Sequence, residues 1–218
     1  MYRFKWTFYK RDQNYFLAFL SLLILLSYLA CNTPVANVVH PDPRKIPAIS
    51  KDGINAVIEI PAGTNDKIEY DKTTNRFLQD QENGKERVIQ FLPYPANYGF
   101  IPSTFMDKNR GGDGDPLDIL VIAPYQRTGS VMQVRLIGAL QLLDDGELDT
   151  KIIAIPVDSA KQVISVMDYP DLAVRYQPVL RIIETWFLNY KGPGRTELIG
   201  WQDELFARRE VEKWQVYN

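Results

Sequence analysis

From residue 54 onward, the chain consists of short apolar runs with β-strand spacing, each ended by proline, glycine or charged residues. The strongest runs are INAVIEIP, LDILVIAP, VMQVRLIGALQLLDD and KIIAIPV, and the segment DKIEYDKTTNRFLQD has the pattern of a hairpin that turns at KTTN. Many short strands with helices only at the end favour a sheet that closes on itself. The sequence therefore predicts an α+β domain, mainly β, built on a small, partly closed β-barrel.

Helical spacing appears only near the C-terminus. Pro178 suits the first turn of a helix, and the apolar residues after it recur at i, i+3, i+4, i+7, i+8 and i+11. These residues are Val179, Ile182, Ile183, Trp186, Phe187 and Tyr190. A second, charged helix is predicted for DELFARREVEKWQVYN. We expect both helices to pack on the outside of the barrel.

The composition excludes several classes of function. The 218 residues, 45% of them hydrophobic, suffice for one sizeable domain. The formal net charge of −2 comes without a clustered basic face, so we expect no nucleic-acid partner. The single histidine, His40, lies in the proline-rich stretch VVHPDPRKIP. This position argues against a histidine metal site or a Ser-His-Asp triad in the folded core.

The first 31 residues have the composition of a signal segment. Basic residues in MYRFKWTFYKR precede the uncharged run FLAFLSLLILLSYLA, which is shorter than the roughly 20 residues of a membrane span. The segment SYLAC resembles a bacterial lipoprotein cleavage box, in which Cys31 would become the lipidated N-terminus. Tyr28 stands where leucine is usual in that box. An uncleaved anchor helix and an ordinary signal peptide remain as alternatives.

The sequence thus divides into three parts: a signal or lipoprotein-like segment at 1–31, a proline-rich linker at 32–53 and a catalytic or binding domain at 54–218. Without the first part, the chain holds 21 basic and 26 acidic residues, a net charge of −5. Net charge alone would therefore not steer an anionic substrate to this domain. Such a substrate would need a local basic patch or bound cations.

Acidic residues crowd the beginning of the most apolar run. In GGDGDPLDILVIAP, Asp113, Asp115 and Asp118 fall within six positions, and such crowding is costly without cationic partners. Further acids stand near the ends of other predicted strands: Glu59, Asp144, Asp145 and Asp149. Carboxylate oxygens are the ligands that Mg²⁺ prefers. An EF-hand loop is excluded, because its glycine and glutamate positions are filled here by Asp118 and Pro124.

The segment DGDPLDILV resembles the signature of the soluble, family I inorganic pyrophosphatases. Other segments match motifs of that family in the same order: VIEIPAGTNDKIEYDK, YPANYGFIP, GALQLLDDGELDTKIIAIP, NYKG and GW. The resemblance covers about residues 54–205. It implies a five-stranded, OB-like closed β-barrel with flanking helices. It also implies Mg²⁺-dependent hydrolysis of inorganic diphosphate to two phosphates, with several ions in each site.

The resemblance also implies roles for single residues. Asp113, Asp118 and Asp149 would hold the first metal ions, with Asp118 bridging two of them, and Asp115 would take a proton from the attacking water. The remaining carboxylates and the tyrosine of the catalytic centre would assist: Glu59 and Asp144 hold ions that arrive with substrate, and Tyr98 orients Asp118. Further substrate-binding positions are Lys67, Glu69, Arg87, Tyr94, Lys151, Tyr190 and Lys191.

One of these positions departs from the family pattern. The family has a phosphate-binding arginine eight residues before the first tyrosine of YPANYG, where this chain has Glu86. Arg87 lies seven residues before Tyr94, and we assign it on the assumption of a one-residue deletion.

Three further expectations stay open at this point. The same acidic cradle could serve another small phosphoanhydride, although the chain lacks a Gly-x4-Gly-Lys-Ser/Thr phosphate loop. A membrane-tethered, OB-like binding module without catalysis is the alternative from a different class. The N-terminus predicts a membrane-anchored bacterial lipoprotein facing the periplasm, whereas the family is normally cytoplasmic and commonly forms homo-oligomers.

Overall fold

The computed structural model describes residues 42–216. These residues form ten strands and three α-helices, together with three short 3-10 turns. The strands are β1 (Ile54–Ile60), β2 (Ile68–Asp71), β3 (Arg76–Gln79), β4 (Gln81–Glu82), β5 (Lys85–Glu86), β6 (Asn97–Phe100), β7 (Asp118–Val121), β8 (Val131–Asp144), β9 (Glu147–Pro156) and β10 (Thr196–Gln202). The helices are α1 (Tyr169–Arg175), α2 (Gln177–Asn189) and α3 (Glu204–Trp214).

Five strands close on themselves. They follow one another in the order β1, β6, β7, β9 and β8, and β8 then pairs back onto β1. Only the β7–β9 pair in this ring is parallel, and β10 is added to the outer side of β8. The predicted mainly β fold with flanking helices is therefore confirmed, including the closure of five strands. The hairpins β2–β3 and β4–β5 lie outside the ring.

The ring strands are buried on both faces. Along β7, Ile119 and Val121 belong to one apolar cluster and Leu120 to another, because successive side chains point to opposite faces of a strand. One cluster includes Val211 and Trp214 of α3, and the other packs against α1 and α2. Burial on both faces explains why the central strands have continuous apolar sequences rather than alternating ones.

The small β4–β5 hairpin and two longer elements were not predicted from the sequence. The strand β10 was not predicted, because a bulge between Leu198 and Gly200 breaks its alternation. The helix α1 was not predicted either; it has only seven residues and is capped by Asp168, whose side chain accepts from the Asp171 amide. In α2, Ile182 is 58% exposed although it was placed on the apolar face, and Leu180 is buried instead.

The N-terminal segments lie mostly outside the described residues. The predicted signal segment, Cys31 and residues 32–41 of the predicted linker are among them. From Asp42 onward the linker residues are packed on the domain, and Ala48 is fully buried in the first apolar cluster. Within residues 42–216, no helix has the length and apolar character needed to cross a membrane.

A buried asparagine fixes the corner at which β6 begins. The amide oxygen of Asn97 accepts from the backbone amides of Ala62 (3.1 Å) and Gln126 (2.8 Å). Its amide nitrogen donates to the carbonyl oxygens of Ala123 (3.2 Å) and Pro124 (3.0 Å). The side chain is fully buried, and it hydrogen-bonds backbone groups of two loops at once.

We expect Asn97→Ala to lower the free energy of unfolding by about 2–4 kcal/mol, because it leaves several buried backbone groups without partners. Denaturant unfolding followed by tryptophan fluorescence measures this change. Asn189→Ala is the matched control, since the exposed Asn189 donates only one described bond, to the Thr185 carbonyl. Equal stability of the two variants would contradict the proposed role of Asn97.

Candidate active site

One cavity of about 360 Å³ opens beside the ends of the ring strands. It brings together thirteen of the fourteen predicted catalytic, metal-binding and substrate-binding residues: Glu59, Lys67, Glu69, Arg87, Tyr98, Asp113, Asp115, Asp118, Asp144, Asp149, Lys151, Tyr190 and Lys191. The motif residues that are far apart in sequence therefore meet in one place. The cavity is also lined by six residues that the sequence analysis did not select: Tyr70, Lys72, Phe100, Pro116, Glu147 and Leu148.

The turn before β7 presents three carboxylates. The Asp113 side chain accepts from the Asp115 amide at 2.8 Å. Two backbone bonds of 2.8 Å hold the loop: the Gly114 amide donates to the Met106 carbonyl, and the Met106 amide donates to the Asp115 carbonyl. Asp118 is the first residue of β7 and lines the cavity. Burial raises the pKa of Asp113, although its bond to the Asp115 amide favours the charged form. The Asp115 carboxylate remains 70% exposed at the rim, where it pairs with Lys72.

The centre of the acidic wall is a buried lysine. The parallel β7–β9 register places Asp118 beside Lys151, and Asp149 lies two residues earlier on the same face of β9. The Lys151 ammonium contacts Asp118, pairs with Asp149 at 2.8 Å and donates to the Tyr98 hydroxyl at 3.3 Å. Burial opposes its charge, but Asp118 and Asp149 outweigh that cost and raise the pKa of Lys151. Tyr98 thus reaches Asp118 through Lys151 rather than directly.

The opposite wall carries the C-terminal end of α2. Lys191 contacts the Asp144 carboxylate and lies 3.5 Å from Asp145. Tyr190 stacks on Trp186, with ring centroids 4.7 Å apart and planes at 11°. Burial raises the pKa of Tyr190, so that its hydroxyl stays protonated at neutral pH.

Tyr94 is the one predicted substrate-binding residue that does not line the cavity. Its ring is 3% exposed and lies behind the wall, 5.4 Å from the Tyr98 ring and 4.4 Å from the Trp186 ring. Aromatic packing therefore accounts for its position in the structure. Tyr94 therefore packs against Tyr98 on the side away from the cavity.

The hairpin β2–β3 supplies a third wall. Lys67 pairs with Glu69 at 3.0 Å, and the Glu59 side chain of β1 accepts from the Tyr70 amide at 2.7 Å. Burial raises the pKa of Glu59 to about 8, although Lys67 and the Tyr70 amide favour the carboxylate.

The β4–β5 hairpin places Arg87 at the cavity. The small hairpin β4–β5 separates Asp80 from Arg87 and brings them back together, so that the Arg87 guanidinium pairs with Asp80 at 3.0 Å. Arg87 lines the cavity, whereas Glu86 does not. Of the two candidate positions before Tyr94, Arg87 is therefore the one that can contact a ligand.

The donor chemistry fits a hard divalent cation. All five predicted metal-binding residues are carboxylates that line the same cavity, and Mg²⁺ prefers such oxygens. Among residues 42–216, no three acidic side chains form a ready-made group of metal ligands. Lysines pair with Asp118, Asp149 and Asp144, so a bound cation would have to share these carboxylates with the lysines or displace them.

Comparison with known proteins identifies the family. A family model described as inorganic pyrophosphatase matches residues 56–217. This chain belongs to the inorganic pyrophosphatase family. It is similar to inorganic pyrophosphatase 1 of Pseudomonas syringae pv. tomato, with 40% identity over 178 residues that cover 78% of this chain and 94% of that protein.

Solved pyrophosphatases share the fold. The crystal structure of an inorganic pyrophosphatase from Neisseria gonorrhoeae matches with a TM-score of 0.65 and 30% identity, over 80% of this chain and 96% of that one. The type I inorganic pyrophosphatase of Toxoplasma gondii matches with a TM-score of 0.68 and 28% identity, over 78% of this chain and 84% of that one.

We expect Glu59→Gln to change the pH dependence of stability in chelator-treated protein. In the folded protein the pKa of Glu59 is about 8, above its ordinary value of 4.5. The stability that protonated Glu59 contributes to the wild type is therefore lost as pH rises from 4.5 through 8. Glutamine keeps the acceptor for the Tyr70 amide but cannot ionise. From pH 5 to pH 9, the unfolding free energy of Glu59→Gln should rise by about 1–3 kcal/mol relative to that of the wild type. Parallel pH profiles in denaturant unfolding would contradict this expectation.

Proposed function

We propose that this protein is an Mg²⁺-dependent inorganic diphosphatase. Water adds to one phosphorus atom of diphosphate, the bridging P–O bond breaks, and two phosphates leave. The observation that carries the proposal is a single cavity that brings the carboxylates together with lysine, arginine and tyrosine side chains. Membership of the inorganic pyrophosphatase family supports the same reaction.

Five carboxylates would hold several Mg²⁺ ions: Asp113, Asp118 and Asp149, with Glu59 and Asp144 joining when substrate arrives. When bound, such ions neutralise the diphosphate and lower the pKa of the attacking water. The apolar β-strands behind Asp118 and Asp149 provide a rigid mount for these ligands. The acidic balance of the domain is then compatible with an anionic substrate, because diphosphate enters as its magnesium complex.

Asp115 would accept the proton of the attacking water. Its carboxylate lies at the rim and is mostly exposed, so an incoming water molecule can reach it. The Lys72 ammonium, 3.0 Å away, holds it only through an exposed ion pair, which exchanges easily. Tyr98 and Lys151 would keep Asp118 in place on the other side.

The lysine, arginine and tyrosine side chains that line the cavity would bind the phosphates. Lys67, Arg87 and Lys191 each carry a positive charge to the cavity wall, and charged donors form strong hydrogen bonds to phosphate oxygens. Tyr190 would donate a further bond, because its raised pKa keeps the hydroxyl protonated. Glu69 would orient Lys67 through their ion pair.

We expect Asp115→Asn to reduce phosphate release from diphosphate by about 10²–10⁴-fold, because asparagine cannot take the proton. Phosphate release is measured with purified protein, with Mg²⁺ and with a chelator that should abolish it. Asp107→Asn is the matched control on the same loop, since asparagine preserves the cap that Asp107 provides. Wild-type protein that folds but releases no phosphate would overturn the proposal, and a panel of short polyphosphates and nucleotides would then follow.

The location of the enzyme is a separate proposal. The basic N-terminus, the apolar run and the SYLAC segment support a bacterial lipoprotein anchored through Cys31 and facing the periplasm. Several acyl chains would hold such a protein firmly on a membrane. An exported diphosphatase would recover phosphate outside the inner membrane. The cytoplasmic location usual in the family is the alternative, and assembly into a homo-oligomer stays a prediction.

We expect a fatty-acid label supplied to bacterial cells expressing the chain to be incorporated into wild type and lost in Cys31→Ser. Because Cys31 is the only cysteine, the substitution removes the single acceptor without affecting any disulfide. Native mass spectra should show cleavage after Ala30 in wild type alone. Unlabelled, unprocessed protein in the soluble fraction would contradict the lipoprotein proposal.

A further inference from the structure

Residues 42–50, which we call the N-terminal strap, precede the region that the family model matches. They nonetheless pack against the domain. The Ser103 hydroxyl donates to the Ile46 carbonyl at 2.8 Å, and the Asn55 side chain donates to the Pro47 carbonyl at 2.8 Å. Ala48 is fully buried, and its carbonyl accepts from the Asn55 amide at 2.9 Å. The strap is therefore a fixed part of the fold from Asp42 onward.

The strap ends on a tyrosine of the active-site hairpin. The Tyr70 hydroxyl lies 3.1 Å from the Asp42 carboxylate and 3.0 Å from the side-chain oxygen of Asn75, which forms the β2–β3 turn with a φ of 56°. The Tyr70 ring packs on Phe77 and Phe100, with centroids 5.3 and 6.1 Å apart. One side chain thus joins the strap, the hairpin turn and the wall of the ring.

The same tyrosine also contacts the site through its backbone. Its amide donates to the Glu59 carboxylate, and its neighbours Lys67 and Glu69 on the β2 segment line the cavity. The hairpin itself is short, with four residues in each strand, and lies outside the ring. The hydroxyl bond to the strap is one of the contacts that tie the hairpin to the rest of the domain, beside the Tyr70 amide bond to Glu59 and the Lys72–Asp115 ion pair. An isolated two-stranded hairpin depends on such outside contacts for a fixed position.

We propose that Asp42 and Tyr70 form a clamp by which the N-terminal strap positions the β2–β3 hairpin and so sets the affinity for magnesium diphosphate. Both are positioning residues, which act through Glu59, Lys67 and Glu69. The inference rests on the proposed function for its kinetic consequence. The Asp113–Asp118 turn is held by backbone bonds to Met106, and the Lys72–Asp115 ion pair that joins it to the hairpin is exposed and therefore weak. The clamp should therefore affect substrate binding more than the chemical step.

We expect Asp42→Ala and Tyr70→Phe each to raise the KM for magnesium diphosphate by about three- to tenfold, the effect of losing the hydrogen bond between these two side chains. Tyr70→Phe also removes the contact with Asn75, so its effect should be at least as large as that of Asp42→Ala. The change in kcat should stay below about twofold. Tyr70→Phe keeps the ring packing and the amide bond to Glu59. Asp42→Asn keeps an acceptor oxygen and should restore the wild-type KM. The double variant Asp42→Ala/Tyr70→Phe should be no worse than Tyr70→Phe alone, because both changes remove the same contact.

Two controls match these changes. Asp52→Ala removes the same charge from an exposed position near the strap, and Tyr176→Phe removes a tyrosine hydroxyl at the junction of α1 and α2, away from the cavity. Both should keep the wild-type KM and kcat. Loss of folding alone would lower kcat through the fraction of active protein and would leave KM unchanged.

Hydrogen–deuterium exchange of the full chain provides a readout that does not need activity. Amides in peptides covering residues 67–79 should exchange faster in Asp42→Ala and Tyr70→Phe, and at the wild-type rate in Asp42→Asn and both controls. If the wild type shows no diphosphate hydrolysis, the proposed function fails. Hydrogen exchange and calorimetric binding of inorganic phosphate still test whether Asp42 and Tyr70 position the hairpin. Unchanged exchange and KM in Asp42→Ala, or equal effects of Asp42→Ala and Asp42→Asn, would overturn the clamp.

Discussion

The acidic cavity depends on one interaction: the ammonium group of Lys151 lies between the carboxylates of Asp118 and Asp149. Carboxylates this close repel one another, and burial makes that repulsion more costly. A buried cation removes the cost only if it is placed accurately. The parallel pairing of β7 with β9 provides this placement, because it sets Asp118 beside Lys151 across two strands whose remaining residues are apolar.

The rest of the site follows the same principle of paired opposite charges. Four further ion pairs are present: Lys191 with Asp144, Lys67 with Glu69, Arg87 with Asp80, and Lys72 with Asp115. The Lys191–Asp144 and Lys72–Asp115 pairs link distant segments of the chain, so they also join walls of the cavity. The Lys67–Glu69 and Arg87–Asp80 pairs are local. A ligand that carries both cations and phosphate groups can exchange with both members of such pairs. The site therefore offers matched partners to a magnesium-bound anion.

Much of this arrangement could be predicted from the sequence, because its signals are local. The ring strands have long apolar runs, and the order of the acidic and tyrosine motifs identifies the family. Other features depend on tertiary contacts. The bulge at Gly200 hides β10, and Ile182 fits an apolar helical face although the fold leaves it exposed. Tyr70 lies within the segment VIEIPAGTNDKIEYDK, but that segment does not indicate that its hydroxyl contacts a carboxylate 28 residues earlier in the chain.

The closure of the ring has a consequence for folding kinetics. The pairing that completes it joins Val57 of β1 to Val131 of β8, two residues 74 positions apart in the chain. Contacts between such distant residues form slowly, because a long loop must be ordered before the pairing stabilises it. Glu59 comes from the first strand of the ring and Lys151 from the last, so no partly folded chain assembles the whole cavity. Recovery of activity after dilution from denaturant therefore reports the closure of the entire ring, not the folding of one local segment.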